Sequence, residues 1–262
     1  MNEILTSLQN PQVKIWRSLN KSRAERVKNG LFLAEGEHMA SEAIQEHQAR
    51  ALLIDGGARE KYAALADRAT AQGVLTYSLS SHVMAALSDA KTPQGVIAVC
   101  PYPTTAGLPE NAALLVALNG VQDPGNVGTI IRTMDAAGYA ALLMDEQTAD
   151  PYAPKALRAT MGGAFRIPAV RVPDLPGTLN GLARDGYEII AGDLRGTDFY
   201  ARPRAKEKIC IVVGSEGQGV SPAVLREATM RLKIPMVGKA ESLNAAVAGA
   251  IMMYDFLREK RF

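Results

Sequence analysis

Apolar runs of strand length alternate with segments of helical spacing between residues 31 and 100. In order along the chain they are LFLAE, HMASEAIQEH, ARALLIDGG, REKYAALADRATAQG, VLTYSLS and QGVIAVC. Short apolar runs bounded by turn residues are typical of strands, and the longer amphipathic segments between them are typical of helices. The pattern predicts a small α/β domain in the first part of the chain.

The alternation is clearer after residue 112. The predicted strands are ALLVALNGV, YAALLMD, FRIPAVRV, YEIIAGD, KICIVVG and MRLKIPM, with helical patterns between them and a long one, ESLNAAVAGAIMMYDFLREK, at the end. Repeated β–α units predict a mostly parallel sheet covered on both faces, which binds ligands at the carboxyl ends of its strands. In the first of these helices, Asn126 is the predicted N-cap and Gly138 the residue that ends it.

The stretch CPYPTTAGLPEN, residues 100–111, contains three prolines and a glycine, which is typical of a linker. A chain of 262 residues also exceeds the usual size of a single domain. We therefore predict an α/β domain at 1–103, a linker at 104–111 and a second α/β domain at 112–262.

Composition indicates a folded protein, since 47% of the residues are hydrophobic and 23 are glycine. The formal net charge is only +2, but residues 1–30 contain more basic than acidic side chains. This segment is either a surface that contacts phosphates or an ordinary solvated helix face. The basic residues considered for RNA contact are Lys14, Arg17, Lys21, Arg23 and Arg26.

The two cysteines, Cys100 and Cys210, are far apart, which excludes a cysteine-based zinc site and gives no sign of a disulfide framework. The first residues, MNEILTSLQNPQVKIW, lack the apolar core of a signal peptide. No apolar run reaches the roughly 18 residues that a membrane span needs. We expect a cytoplasmic protein with no membrane segment.

Three clusters follow predicted strands: NGVQDPGNVGTIIRTMDAAG at 119–138, GSEGQGV at 214–220 and IPMVGKAESLNAAVAGAIMMYD at 234–255. The start of a helix favours anions, and glycines allow close backbone approach to a ligand. Taken separately, each cluster also fits ordinary helix capping. GSEGQGV lacks the glycine spacing and the Lys-Ser/Thr pair of a phosphate-binding P-loop.

Together and in this order, the clusters resemble the three motifs of the SpoU (TrmH-like) RNA ribose 2′-O-methyltransferases of the SPOUT superfamily. The matching patterns are NxxxxxR, GxExxG and IPMxGxxxSLN, and the resemblance covers about residues 112–262. One departure is AAVA after SLN, where the family often has a valine and a serine. The segments SLQNPQVKIWRSL and LFLAEGEHMASEAI resemble, more loosely, the substrate-binding domain of many members.

The resemblance implies an enzyme that uses S-adenosylmethionine, a deep trefoil knot in the second domain and a homodimer. It implies no metal, because the sulfonium of the donor is already a strong electrophile. The implied donor contacts come from three segments: Ala191, Gly192 and Asp193; Gly214, Ser215, Glu216, Gly217 and Gly219; and Ile234, Pro235, Met236, Ser242, Leu243 and Asn244.

The catalytic residues carried over from the family are Arg132, Asn126, Glu216, Ser242 and Asn244. The three histidines lie before residue 104, so the second domain contains no histidine base. The family's proposal makes Arg132 the base. A cationic Arg132 that stabilises the developing alkoxide, with a phosphate or Glu216 taking the proton, is physically easier. We expect Glu216 to position Arg132 or Asn126 by hydrogen bonding.

The separate first domain favours ribosomal RNA of the 23S type as substrate, with transfer RNA as the alternative. Other readings are a non-catalytic RNA-binding protein that retains the fold and a methyltransferase that acts on a base or a protein. The presence of Arg132, Glu216 and Asn244 weighs against a non-catalytic protein. The IPM and SLN patterns weigh against a methyltransferase that acts on a base or a protein.

Overall fold

The computed structural model describes residues 4–103 and 107–261, so part of the predicted linker, residues 104–106, lies outside the described residues. The strands are β1 Leu31–Glu35, β2 Ala51–Asp55, β3 Leu75–Leu79, β4 Val96–Pro101, β5 Leu114–Asn119, β6 Ala141–Met144, β7 Ala169–Arg171, β8 Glu188–Asp198, β9 Ile209–Gly214 and β10 Met230–Lys233. The helices are α1 Pro11–Leu19, α2 Arg23–Asn29, α3 Glu37–Gln45, α4 Ala63–Ala71, α5 Ser81–Leu87, α6 Pro124–Ala137, α7 Pro154–Thr160, α8 Leu175–Arg184, α9 Pro222–Glu227 and α10 Ala245–Arg261.

The chain folds into two compact units. The first consists of Met1–Thr104 with Tyr152–Arg166, and the second of Thr105–Pro151 with Ile167–Phe262. Within the described residues, no helix is long and apolar enough to cross a membrane.

The first unit contains a four-stranded sheet in the order β1-β4-β2-β3. Strand β4 runs antiparallel to β1 and β2, and β2 runs parallel to β3. Apolar clusters cover both faces of this sheet, and Trp16 of α1 is 1% exposed in one of them. The predicted α/β character of this region is confirmed. The pattern did not predict α5, although Ser80 caps it by accepting from the Val83 backbone N–H at 3.4 Å.

The segment Tyr152–Arg166 packs in the first unit, although it follows β6 in the chain. The Tyr152 ring lies 4.9 Å from the Phe32 ring, and Arg158 forms a 2.9 Å ion pair with Asp89. Hydrophobic spacing showed that this segment is helical, but it could not show which apolar surface the helix covers. The first unit therefore includes a segment that the predicted boundaries place in the second domain. The assignment of domains at 1–103 and 112–262 stays a prediction.

The second unit contains a six-stranded sheet in the order β10-β8-β9-β5-β6-β7, and every pairing in it is parallel. Alternate residues of β5 bury their side chains on opposite faces, Val116 and Leu118 on one and Leu115 and Ala117 on the other. Continuous apolar strands are expected when both faces of a sheet are covered. The prediction of a parallel α/β sheet is confirmed, whereas the knotted path stays a prediction from the resemblance.

Helix α6 begins earlier than predicted. Its N-cap is Asp123, whose carboxylate accepts from the backbone N–H groups of Gly125 at 2.6 Å and Asn126 at 3.1 Å. Proline at the first helical position, Pro124, suits this start. The prediction of Asn126 as cap was therefore wrong, and its side chain is left to contact other groups. Gly138 ends the helix at φ 73°, as predicted.

Candidate active site

The three sequence clusters meet at the carboxyl edge of the second unit's sheet. Strands β5 and β9 are neighbours, and their last residues, Asn119 and Gly214, are paired. Helix α6 begins just after β5, and the loop 215–219 just after β9. Parallel strands end at the same edge, so segments that are 90 residues apart in the chain become adjacent there.

A chain of hydrogen bonds joins one residue from each cluster. The Oδ1 atom of Asn244 caps α10 by accepting from the Ala246 N–H at 2.9 Å and the Val247 N–H at 3.3 Å. Its Nδ2 atom then donates to Oδ1 of Asn126 at 2.9 Å, and Nδ2 of Asn126 donates to Oε1 of Glu216 at 2.7 Å. Because the cap requires an acceptor, it fixes the orientation of both amides.

Glu216 is the acceptor at the end of this chain. Its Oε2 atom also accepts from the Gln122 backbone N–H at 3.4 Å. Partial burial raises the pKa of the Glu216 carboxyl, but hydrogen bonds from the Asn126 side chain and from the backbone N–H groups of Glu216, Gln122 and Asp123 outweigh it. The net pKa is lowered, so the carboxylate is ionised at neutral pH. The expected hydrogen bond between Glu216 and Asn126 is present.

The loop after β9 closes on itself. The backbone N–H groups and carbonyls of Ser215 and Gly219 exchange two hydrogen bonds, of 3.1 and 3.0 Å. A Cβ on Gly214 would lie 2.1 Å from the Gly219 carbonyl carbon, so only glycine fits there. Two glycines of GSEGQGV therefore serve the closure of the loop, which carries Glu216 at its tip.

A polar network behind the loop was missed by sequence reasoning. Asn119 accepts from the Ser221 N–H at 2.7 Å and donates to Asp145 at 2.8 Å. Thr148 donates to the other Asp145 oxygen at 2.7 Å, and an Arg171 guanidinium nitrogen donates to the Thr148 carbonyl at 2.9 Å. These residues tie together the ends of β5, β6 and β7 and the start of α9. The sequence signal that could have identified them is that they lie at or just after the ends of predicted strands.

A cavity of about 560 Å³ opens beside Glu216. This volume lies in the range of small-molecule sites. The predicted donor contacts that line it are Gly192, Asp193, Gly214, Ser215, Glu216, Gly217, Gly219, Ile234, Met236, Ser242 and Leu243.

Three predicted donor contacts lie outside the lining. Ala191 is fully buried in β8, where it pairs with Val212. Pro235 is half-buried in the turn after β10. Asn244 caps α10 and is bonded to Asn126. The lining residues that sequence reasoning missed are Leu194, Arg195, Val212, Val213, Gln218, Val220, Leu225, Leu232, Lys233, Glu241, Ala245, Ala248 and Met252.

Arg132 stands apart from the hydrogen-bonded residues. It lies on α6, six residues after Asn126 and therefore about 9 Å further along the helix axis. Its side chain is exposed, and within the part of the chain that the structure describes it has no hydrogen bond or ion pair. Ser242 is exposed at the cavity. Among the described residues, no cluster of three or more His, Cys, Asp or Glu is arranged to hold a metal ion.

The basic segment of the first unit divides into exposed and buried side chains. Lys14, Arg17, Lys21 and Arg23 are exposed. Arg26 is only 4% exposed, and its Nη1 atom donates to the Leu19 carbonyl at 2.6 Å. The structure thus corrects the prediction for Arg26, which stabilises the turn between α1 and α2 and does not face a phosphate.

Fold and site together define an α/β protein with a small-molecule cavity at the carboxyl edge of a parallel sheet. The model of the SpoU rRNA Methylase family matches residues 113–254, and that of the MRM3-like substrate binding domain matches residues 10–98. The chain belongs to the SpoU rRNA methylase family and is a methyltransferase. The resemblance to this family is confirmed.

Individual relatives extend over both units. The chain is 37% identical over 251 residues to the 23S rRNA (guanosine(2553)-2′-O)-methyltransferase RlmP of Bacillus subtilis, covering 95% of this chain and 97% of that protein. The AdoMet-bound rRNA methyltransferase from Sinorhizobium meliloti has a TM-score of 0.84 at 31% identity, covering 98% and 97% of the two chains. The AdoMet complex of AviRb from Streptomyces viridochromogenes has a TM-score of 0.84 at 30% identity, covering 97% and 99%.

Proposed function

We propose that this protein transfers a methyl group from S-adenosylmethionine to a ribose 2′-hydroxyl of 23S-type ribosomal RNA. The observation that carries the proposal is the bonded chain Asn244–Asn126–Glu216 at the edge of the cavity. The Bacillus subtilis relative, matched over nearly its whole length, supports the choice of RNA. Ribosomal RNA as substrate implies a cytoplasmic enzyme.

The cavity fits the methyl donor by the chemistry of its lining. Leu225, Leu232 and Leu243 offer apolar surface, and Asp193 and Ser242 offer polar groups. Such a lining suits a molecule with a flat heterocycle, hydroxyls and a charged amino-acid end. S-adenosylmethionine, when bound, supplies an electrophilic methyl group. S-adenosylmethionine would be held by the predicted donor contacts that line the cavity, in the segments 192–193, 214–219, 234–236 and 242–243.

Arg132 acts as a cation in this proposal. A guanidinium stays protonated in proteins, which makes an arginine a poor general base. A guanidinium beside the 2′-oxygen instead stabilises the negative charge that develops there. Its exposure on α6 leaves it accessible to a bound nucleotide.

Asn126 and Glu216 have positional roles in the same proposal. The Glu216 carboxylate is ionised at neutral pH, and its lowered pKa makes it a weaker base than an ordinary glutamate. The 2′-hydroxyl proton leaves as the methyl group is transferred, and either Glu216 or an RNA phosphate accepts it in this proposal. Glu216 and Asn244 hold the Asn126 amide in one orientation, and Ser242 contacts the donor.

The first unit is the proposed RNA-binding part. Its α1–α2 region presents Lys14, Arg17, Lys21 and Arg23 to solvent, which suits contact with phosphates. We assign residues 1–103 to RNA binding, 104–111 to the linker and 112–262 to the methyltransferase domain.

A homodimer is also part of the proposal. Val247 and Tyr254 of α10 are seven residues apart, on one face of the helix, and are 48% and 50% exposed. Large apolar side chains exposed on one face are typical of an interface. Sedimentation velocity at micromolar concentration should give a dimer, and Tyr254→Asp should weaken it. A wild-type monomer would refute this part.

The proposed reaction is tested by incubating the protein with methyl-labelled S-adenosylmethionine and purified bulk ribosomal or transfer RNA in parallel. Each product is digested to nucleosides and separated by chromatography. We expect a labelled 2′-O-methylnucleoside from ribosomal RNA. Label in transfer RNA alone would select the alternative substrate. Absence of label from both RNAs would refute the proposed reaction on these substrates.

A further inference from the structure

Five residues of β8, 192–196, bulge out of the sheet. In the pairing with β10, Arg231 lies opposite Ala191, and the next residue, Leu232, lies opposite Thr197. The residues between Ala191 and Thr197 therefore have no place in the ladder. Four of them, 192–195, line the cavity, so the bulge forms one of its walls.

Two guanidinium groups lie within ion-pair distance of Asp193 in this wall, that of Arg231 and, at 3.9 Å, that of Arg195. Oδ2 of Asp193 accepts from Nε of Arg231 at 2.9 Å and also from Nη2. Oδ1 of Asp193 accepts from the Arg195 backbone N–H at 3.0 Å, which folds the bulge around the carboxylate. The Asp193 side chain is only 8% exposed, whereas that of Arg231 is 43% exposed. Two donors from one guanidinium fix the geometry of a carboxylate more strongly than a single charge does.

The far end of the bulge also contacts Arg231. A Cβ on Gly196 would lie 2.5 Å from the Arg231 carbonyl carbon, so the two backbones touch there. The Thr197 hydroxyl donates to the Arg231 carbonyl at 3.3 Å. Arg231 thus restrains the wall at Asp193 through its side chain and at Gly196 through its backbone.

We propose that Arg231 is a positioning residue for the methyl donor, because its ion pair with Asp193 holds the wall 192–196 in the shape that binds the donor. Arg231 itself lies outside the cavity lining and acts through Asp193. A carboxylate has about four acceptor sites, so Asp193 keeps capacity for donor hydroxyls while bound to Arg231 and Arg195. The inference rests on the proposed function.

Burial raises the pKa of the Asp193 carboxyl, and the hydrogen bonds from Arg195 and Arg231 lower it by more. Asp193 is therefore a charged acceptor at neutral pH, and the loss of Arg231 would leave this nearly buried charge with only the Arg195 guanidinium, 3.9 Å away, as a charged partner. We expect the Asp193 carboxylate to turn towards solvent when Arg231 is lost, and residues 192–196 to shift with it.

The test compares Arg231→Gln with wild type in two measurements. Calorimetric titration with S-adenosylhomocysteine should give about tenfold weaker binding, the size of one charged hydrogen bond. Hydrogen exchange in the protein without ligand should be faster in peptides covering 192–198, because the Arg195 N–H loses a fixed acceptor. In steady state, the donor KM should rise while kcat at saturating donor stays near wild type.

Three further variants separate positioning from general stability. Arg231→Lys should restore part of the affinity, and Asp193→Asn should weaken binding without adding to the effect of Arg231→Gln. Arg226→Gln changes an exposed arginine of α9 outside the cavity lining and should bind like wild type. If Arg231→Gln does not fold, Arg231→Lys decides the question by the same two measurements, since wild-type affinity and wild-type exchange in that variant would both count against the inference.

Unchanged affinity in Arg231→Gln, or additive losses in the double variant, would overturn the inference while leaving the proposed function intact. A wild-type protein that fails to bind S-adenosylhomocysteine would instead overturn the proposed function on which the inference rests.

Discussion

Asn126 and Arg132 lie on the same helix, yet their surroundings are opposite. Asn126 is bonded on both sides, to Asn244 and Glu216, while Arg132 is exposed and has no such bond within the described residues. Preorganised groups need no rearrangement when the reaction occurs, whereas an exposed cation gains its partner only when substrate arrives. Under the proposed function, the bonded residues Asn126, Glu216 and Asn244 are in place before substrate binds, and RNA supplies the partner of Arg132.

Two arginines of the first unit differ in the same way, one bonded and one exposed. Arg26 is buried and bonded to the Leu19 carbonyl, while Arg17 is exposed on α1. A bonded polar group contributes mainly to stability, and an exposed cation is available to a partner. Substitutions at bonded and exposed positions should therefore give different classes of effect.

The largest effect is expected from Arg132→Ala. If Arg132 stabilises the transition state as proposed, its loss should lower kcat by about 10³-fold, with donor affinity within about twofold of wild type. Single-turnover methyl transfer and calorimetry measure the two quantities, and Arg132→Lys should retain part of the rate. Loss of donor binding in Arg132→Ala would show that Arg132 helps to hold the donor, which would contradict the difference in role between Arg132 and Asn126.

Asn126→Ala should have the next largest effect. It removes the centre of the bonded chain, so Glu216 and Asn244 each lose one hydrogen bond, at a cost of about 1.5–3 kcal/mol, or about 10–100-fold in kcat/KM. Thr129→Ala, one turn further along the exposed side of α6, is the matched control. Equal rates for Asn126→Ala and Thr129→Ala would show that the chain has no catalytic role.

The double variant Lys14→Gln/Arg17→Gln should weaken RNA binding by about tenfold and reduce its dependence on salt, with no loss of stability. Arg26→Gln should instead lower the free energy of unfolding by about 1–3 kcal/mol and leave the RNA affinity of the folded protein unchanged. Filter binding at several salt concentrations and urea unfolding give the two quantities. A reversal of the two phenotypes would contradict the assignment of exposed and buried cations.

The smallest effect concerns pH. The pKa of Glu216 is lowered in the folded state, so its stabilising contribution is present above the ordinary glutamate pKa and is lost as the pH falls through the folded value. Wild type should exceed Glu216→Gln in Tm by about 2 °C or less near neutrality, since the group is exposed, and the difference should vanish in acid. A difference that grows on acidification would contradict the direction of the pKa shift.

Much of the fold was predictable because it depends on local pattern. The apolar runs of β5, β8 and β9 predicted strands buried on both faces, and the β–α alternation predicted parallel pairing. Helix caps were less certain, because Asp123 and Asn126 both have good capping side chains and only the structure shows which one caps α6. The packing of Tyr152–Arg166 in the first unit depends on apolar surfaces far away in the chain and leaves no local signal.

The site was predictable to the extent that motifs carry it. The family resemblance identified Asn126, Glu216 and Asn244, but spacing alone could not show that they bond to one another. Arg231 lies outside the three motifs. Its proposed role depends on a register shift between β8 and β10, which sequence pattern does not show. Arg26 was misassigned since a basic pattern does not distinguish an exposed side chain from one that turns inward.

Alkaline hydrolysis of RNA that the protein has labelled shows whether the methyl group is on a ribose hydroxyl. A methyl group on the 2′-oxygen prevents attack on the adjacent phosphate, so the account predicts label in alkali-resistant dinucleotides. Label recovered in mononucleotides would mean that a base carries the methyl group and would contradict the proposed transfer to a ribose hydroxyl.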